Sequence, residues 1–202
     1  MKNLAVLLMV LVTVPAFAAG GDGQIGIGSE AKYTDVKMLA VNGEKVSLTD
    51  VAKDNGLLVL FSCTTCPFVV RWEDRYHQIK EWADKNDVGM IVLNSNYKNR
   101  DGVDSFEEMK KQAENKDYNF YYVVDEESRI ANAFGGQTTP HAFLFDGNMK
   151  LAYKGAIDDN YKNAAEVKKH YLKDAIVSLA NGEGIAVAET QPVGCSIKRK
   201  ID

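Results

Sequence analysis

The sequence predicts an α/β protein, a mixed central β-sheet with helices on both faces. Three observations carry that expectation. Residues 57–62 and 88–93 are unbroken apolar runs, as expected of strands buried on both faces. The segment between them has apolar residues at helical spacing and is long enough for the crossover that makes two such strands parallel. Residues 141–145 and 149–153 are two further strand-like runs joined only by Asp146-Gly147-Asn148, a connection so short that this pair is antiparallel.

Met1-Lys2-Asn3 is a short basic start, followed by an apolar run to Val14 and the small-x-small sequence Ala16-Phe17-Ala18. This is the layout of a signal peptide over residues 1–18, with cleavage after Ala18. It predicts a periplasmic or secreted protein. Residues 19–28 are rich in glycine and read as a flexible linker before a domain over 29–181. Residues 35–41 and 45–48 flank Asn42-Gly43, a hairpin signal. After the first buried strand, Pro67 is tolerated only at the start of a helix, along which Val69, Trp72, Tyr76, Ile79 and Ala83 form one stripe ending near Asn86. Beyond the second strand, residues 94–103 are polar and read as a loop. Ser105 and Glu108 make a capping-box pattern ahead of a helix with Phe106, Met109 and Ala113 on its apolar face. A strand over 120–124, a helix over 127–134 stopped by Gly135-Gly136, the antiparallel pair, and a last helix marked by Val167, Tyr171, Ala175 and Leu179 complete the domain. The tail, 182–202, has little pattern and carries Cys195.

The formal net charge is −4, one unit more negative once Lys2 is removed, with no basic block. That excludes the electrostatic footprint of a nucleic-acid binder. The remaining length of about 180 residues is enough to bury a core without disulfide support. Three cysteines in such a domain therefore point to chemistry. Cys63 and Cys66 stand at C-x-x-C spacing, between a strand and a helix. A sulfur at a helix N-terminus meets unpaired N–H groups and the positive end of the dipole, which favour the thiolate, and a second thiol two residues on can resolve a mixed disulfide. As a structural staple, so small a loop would contribute only about 2 kcal/mol, against about 5 kcal/mol for a bridge to Cys195. Zinc would call for a second Cys or His pair, which Cys195 does not supply.

The three prolines left after signal removal sit by Cys66, before the antiparallel strands in Thr138-Thr139-Pro140, and before Gly194-Cys195. With these the chain resembles the thioredoxin superfamily. More closely it is similar to the redoxin group related to the alkyl hydroperoxide reductase and thiol-specific antioxidant family, often described as peroxiredoxin-like. The similarity runs from about Ile27 to the C-terminus. It rests on residues 63–69, Asn94-Ser95-Asn96, Asp104-Ser105-Phe106-Glu107, Thr139-Pro140-His141, residues 143–146, Gly155 with residues 157–160, and residues 194–198. Members of the group often have Asn-His where this chain has Thr64-Thr65, and an aromatic where it has Arg199.

The resemblance implies a thioredoxin-like fold, a cis bond before Pro140, and Thr139 and Pro140 flanking the sulfur, with the neighbouring backbone pairing to an extended partner segment. Cys63 would then attack a disulfide and Cys66 release the product, beside Thr64 and Thr65. No cofactor is called for. The partners are disulfide-containing or dithiol proteins and an electron donor, a membrane-bound one among the candidates. The peroxiredoxin pattern Pro-x-x-x-Thr-x-x-Cys fails in both registers: Gly56 and Leu60 precede Cys63, Val59 and Cys63 precede Cys66. Thiol–disulfide exchange is therefore preferred to peroxidase activity, with a metal carrier using Cys63, Cys66 and His141 as a third reading. His141 reads either as a neighbour of the thiolate or as a strand residue partly in solvent. Leu57 stands where many thioredoxins carry a buried carboxylate, and Asp125, Asp146, Asp158 and Asp159 are the remaining proton-acceptor candidates, each also readable as a turn residue. Cys195 is a free thiol, an intermolecular partner or an additional resolving thiol, and the similarity around it implies a tail docked on the domain.

Overall fold

A computed structural model describes residues 24–200. The expected signal peptide and residues 19–23 of the expected linker lie outside the described residues. Among those described, no helix is long and apolar enough to cross a membrane. Residues 24–28 are not a free linker but part of the domain: the Ile25 N–H donates to the Phe134 carbonyl, the Gly28 N–H to that of Leu151, and Ile25 and Ile27 pack on the core.

The first two strands of the described residues form a small hairpin, β1 (Met38–Leu39) and β2 (Lys45–Val46), shorter than its apolar runs predict. Gly43, at φ 89, makes the turn. Ser47 and Asp50 then cap a one-turn helix, α1 (Leu48–Val51), by mutual hydrogen bonds. The sheet contains β3 (Leu57–Ser62), β4 (Gly89–Asn94), β5 (Tyr121–Val124), β7 (His141–Phe145) and β8 (Leu151–Gly155), with β6 (Thr138–Thr139) set apart just before β7. Its order is β5-β4-β3-β7-β8. The strands β3, β4 and β5 run parallel, and β7 is antiparallel to both β3 and β8.

β3 is central and fully buried because its two faces feed two cores. Leu58 and Leu60 meet Trp72, Tyr76, Ile79 and Ile176 on one side, and Leu57, Val59 and Phe61 meet Ile130, Phe134 and Met38 on the other. The helix after Pro67 is interrupted: α2 (Pro67–Trp72) passes through a 3-10 turn at Glu73–Arg75 into α3 (Tyr76–Lys85). All five residues of the expected stripe are buried nonetheless. In α4 (Phe106–Asn115) the Ser105 hydroxyl accepts from the Glu108 N–H as expected, but the Glu108 carboxylate turns to Lys111. A buried Asp125 caps α5 (Arg129–Phe134), accepting from the Ile130 and Ala131 N–H groups. The last helix, α6 (Tyr171–Ala180), starts four residues after Val167, which follows a 3-10 turn at Ala164–Glu166.

The tail is not patternless in space. It returns to the domain as β9 (Cys195–Ser196), antiparallel to β6, with Thr139 opposite Cys195. Ile197 enters the second core, its N–H bonded to the Gln137 carbonyl. Burying that side chain stabilises the docked tail by about 1.5–3 kcal/mol.

Candidate redox site

The C-x-x-C lies where the end of β3 meets the start of α2. Pro67 occupies the first helical position, so the helix cap is Cys66, and Cys63 stands three residues earlier, in the loop. Both sulfurs are covered, with Cys63 2 % and Cys66 5 % exposed. Neither thiol is open to solvent, although attack by Cys63 on a partner disulfide calls for access to it. The coverage comes from Thr139, reached through a cis Thr139–Pro140 bond, and from the tail strand paired to it.

Thr139 touches both thiols. Its hydroxyl is hydrogen-bonded to Cys63 Sγ at 3.2 Å, and its carbonyl accepts from Cys66 Sγ at 3.2 Å. The thiols are also coupled to each other. The hydrogen bond from Cys63 holds the Cys66 sulfur down to about 4 against the effect of burial, with help from the Cys195 thiol and from the Val69 and Cys195 N–H groups. Cys63, as donor in that bond, is pushed up, and burial and the charge of Asp104 push the same way. Within the pair these effects favour the anion on Cys66 over Cys63. The Thr139 carbonyl favours a protonated Cys66, but it is one contact against several donors. All three cysteines are free thiols.

A buried carboxylate fixes the loop between the cysteines. Asp104 is 0 % exposed and accepts from the Thr64 N–H at 3.0 Å, the Thr64 hydroxyl at 3.1 Å, and the side-chain amides of Asn94 at 2.8 Å and Asn96 at 2.9 Å. Gln112 donates to the Cys63 carbonyl at 3.4 Å and to the buried Glu73 at 3.0 Å. Sequence reasoning assigned no role to Asp104, Gln112 or Glu73. The Asp104 signal was present, since Asp104-Ser105 and Asn94-Ser95-Asn96 are both among the motifs that carry the family resemblance. Thr65 is exposed and, with Thr64, borders an open depression of about 580 Å³ that reaches Glu73 and Lys116.

His141 is buried, which corrects its reading as a strand residue partly in solvent. It is 1 % exposed, its Nδ1 accepts from the Gln137 N–H at 3.2 Å, and its ring lies 4.5 Å from that of Phe143. Burial and the charge of Lys154 lower its pKa to about 3, so the ring is neutral, and its Nε2 has no partner. None of its contacts is to a sulfur. The four aspartates weighed as proton acceptors are engaged elsewhere: Asp125 at α5, Asp146 in the β7–β8 turn, Asp158 with Arg75 and Trp72, and Asp159 with the Lys168 N–H. Among the described residues, no group of three or more His, Cys, Asp or Glu could hold a metal ion.

The AhpC/TSA family model matches residues 27–154, which include β3, the cysteine pair, the cis proline and most of the sheet. The chain belongs to the AhpC/TSA family. Within the thioredoxin-like superfamily, this AhpC/TSA chain is 30 % identical to an uncharacterized conserved protein from Geobacillus kaustophilus, over 88 % of this chain and 94 % of that one, with a TM-score of 0.80. Two further solved structures share its fold. The thioredoxin domain of a thiol-disulfide oxidoreductase from Bacteroides vulgatus is 21 % identical, over 71 % of this chain and 97 % of that one, with a TM-score of 0.55. The peroxidoxin BcpB from Mycobacterium tuberculosis is 13 % identical, over 77 % and 96 %, with a TM-score of 0.57. No curated protein matches the AhpC/TSA chain.

Proposed function

We propose that the protein is an exported thiol–disulfide oxidoreductase in which Cys63 and Cys66 exchange disulfides with partner proteins. The observation that carries this reading is the geometry at Thr139, whose hydroxyl bonds Cys63 Sγ at 3.2 Å and whose carbonyl bonds Cys66 Sγ at 3.2 Å, so that one residue holds both thiols of the C-x-x-C, while the electrostatics between them favour the thiolate on Cys66. Such a pair has a thiolate at any physiological pH. Transfer of the Cys63 proton to Cys66 makes Cys63 the attacking thiolate, supported by the Thr139 hydroxyl. It attacks one sulfur of a partner disulfide, and the other sulfur leaves as a thiolate. Cys66, deprotonated again, attacks Cys63 Sγ in the mixed disulfide. The Cys63–Cys66 bond forms, the partner's second thiolate departs, and two electrons have passed to the partner. An electron donor, membrane-bound or soluble, restores the dithiol, and the reverse sequence oxidises a dithiol partner. Export rests on the character of residues 1–18.

The test is trapping. Cys66→Ser, incubated with a disulfide-bonded model protein such as insulin, accumulates a mixed disulfide through Cys63, whereas a chain with both Cys63→Ser and Cys66→Ser reduces insulin at background rate. Consumption of hydrogen peroxide by the wild type with a dithiol donor, in the absence of any insulin adduct on Cys66→Ser, would replace exchange with peroxidase activity.

A further inference from the structure

The edge of β6 is where a partner segment would pair beside the cis proline, and in this structure the chain's own tail is paired there. The seating is specific. Gly194 lies so close to the Thr139 backbone that a Cβ on it would fall 2.3 Å from the Thr139 carbonyl oxygen. Beyond the strand, Ile197 is buried, the Lys198 N–H donates to Asn96 Oδ1 at 2.8 Å, and the Arg199 guanidinium bonds the Gly136 carbonyl and Asn132. Cys195 is thereby set opposite Thr139, the residue whose carbonyl lies 3.2 Å from Cys66 Sγ, and packs with Cys63 and Cys66 in one small cluster. Both other thiols act electrostatically on Cys66, and the groups that act most strongly on Cys195 include Cys66 but not Cys63.

The geometry points to Cys195 as a third redox-active thiol that attacks Cys66 in the oxidised pair, forming a Cys66–Cys195 disulfide that locks the tail over the partner site. The inference rests on the exchange reading above. The step is redox-neutral. The Cys195 thiolate attacks Cys66 Sγ, the Cys63–Cys66 bond breaks as the Cys66–Cys195 bond forms, Cys63 leaves as a thiolate, and the proton lost by Cys195 ends on Cys63. The register of Cys195 on Thr139, whose carbonyl contacts Cys66 Sγ, is what brings the tail thiol to Cys66.

The electrostatics favour this order. In the reduced protein Cys195 is pushed up to about 11 by burial and then by its hydrogen bond to Cys66 and the charge there, while Lys198 and the Phe68 N–H favour its thiolate. Oxidation of the pair removes the Cys66 anion, and with it both of the effects on Cys195 that come from that sulfur. The third thiol is therefore released to react when there is a disulfide to attack. Tethering keeps it at high local concentration, in competition with any external thiol.

The test uses the full chain, with no variant required at first. The protein is equilibrated with oxidised dithiothreitol, quenched with acid and an alkylating agent, digested without reduction, and its disulfides are assigned by peptide fragmentation. Two linkages are expected, Cys63–Cys66 and Cys66–Cys195. Cys63→Ser should convert wholly to Cys66–Cys195, and Cys195→Ser should lose the cross-linked peptide while retaining Cys63–Cys66. A wild-type protein that forms only Cys63–Cys66, or one whose tail is cross-linked through Cys63, overturns the inference and leaves the exchange reading standing. A wild-type protein that forms no disulfide overturns both.

Discussion

Thr139 is the residue on which three sulfurs converge, through its hydroxyl, its carbonyl and its strand register. Around it the decisive quantity is which sulfur carries the anion. The Cys66 sulfur is depressed to about 4, so its thiolate is present above that pH and lost as pH falls through it. Thiolate absorbance of the reduced protein should therefore persist from neutral pH down to about 4. An onset near the ordinary thiol value of about 8.5 would contradict the lowering of Cys66. Cys195→Ala removes one thiol donor and should move the midpoint upward, while Cys195→Ser, which keeps a hydroxyl donor, should largely restore it. The C-x-x-C spacing made the pair legible in the sequence. The assignment of the anion did not follow from spacing, because besides the neighbouring Cys63 it depends on a donor more than a hundred residues away, Cys195, and on the Val69 N–H. His141 was misplaced for a related reason. Its burial arises from Phe143 and the register of β7 on β3, neither of which is a local property.

At the scale of elements, the short tail strand decides whether the site is open. Its weakest point is steric: Gly194 has no room for a side chain against Thr139. Gly194→Ala should unseat β9, raising amide exchange at Ile197 by about tenfold or more, which corresponds to a loss of about 1.4 kcal/mol of docking free energy or more. Accessibility of Cys66 to an alkylating agent should rise with it. Unchanged protection at Ile197 would show that the tail is held in some other way. A two-residue strand gives no periodicity, so β9 could not be read from the tail, although the similarity around Cys195 implied docking. The hairpin, by contrast, was legible from Asn42-Gly43, and the parallel strands from their unbroken apolar runs. The break between α2 and α3 was not, because the apolar stripe continues through it.

The whole molecule presents a thioredoxin-like sheet whose central strand separates two cores and delivers the cysteines at its end. Mixed strand directions and helices on both faces were legible because connection lengths fix strand polarity. The docking of residues 24–28 was not, since a glycine-rich composition says nothing of backbone bonds to Phe134 and Leu151. The central claim is that this scaffold carries a reversible dithiol couple. The most direct measurement is the equilibrium reduction potential of the full, metal-free chain against a glutathione or dithiothreitol series. The account predicts a reversible two-electron couple at Cys66, within the span from about −270 mV for thioredoxin-like reductants to about −120 mV for strong oxidants. A protein whose three thiols remain free across the whole series would contradict it.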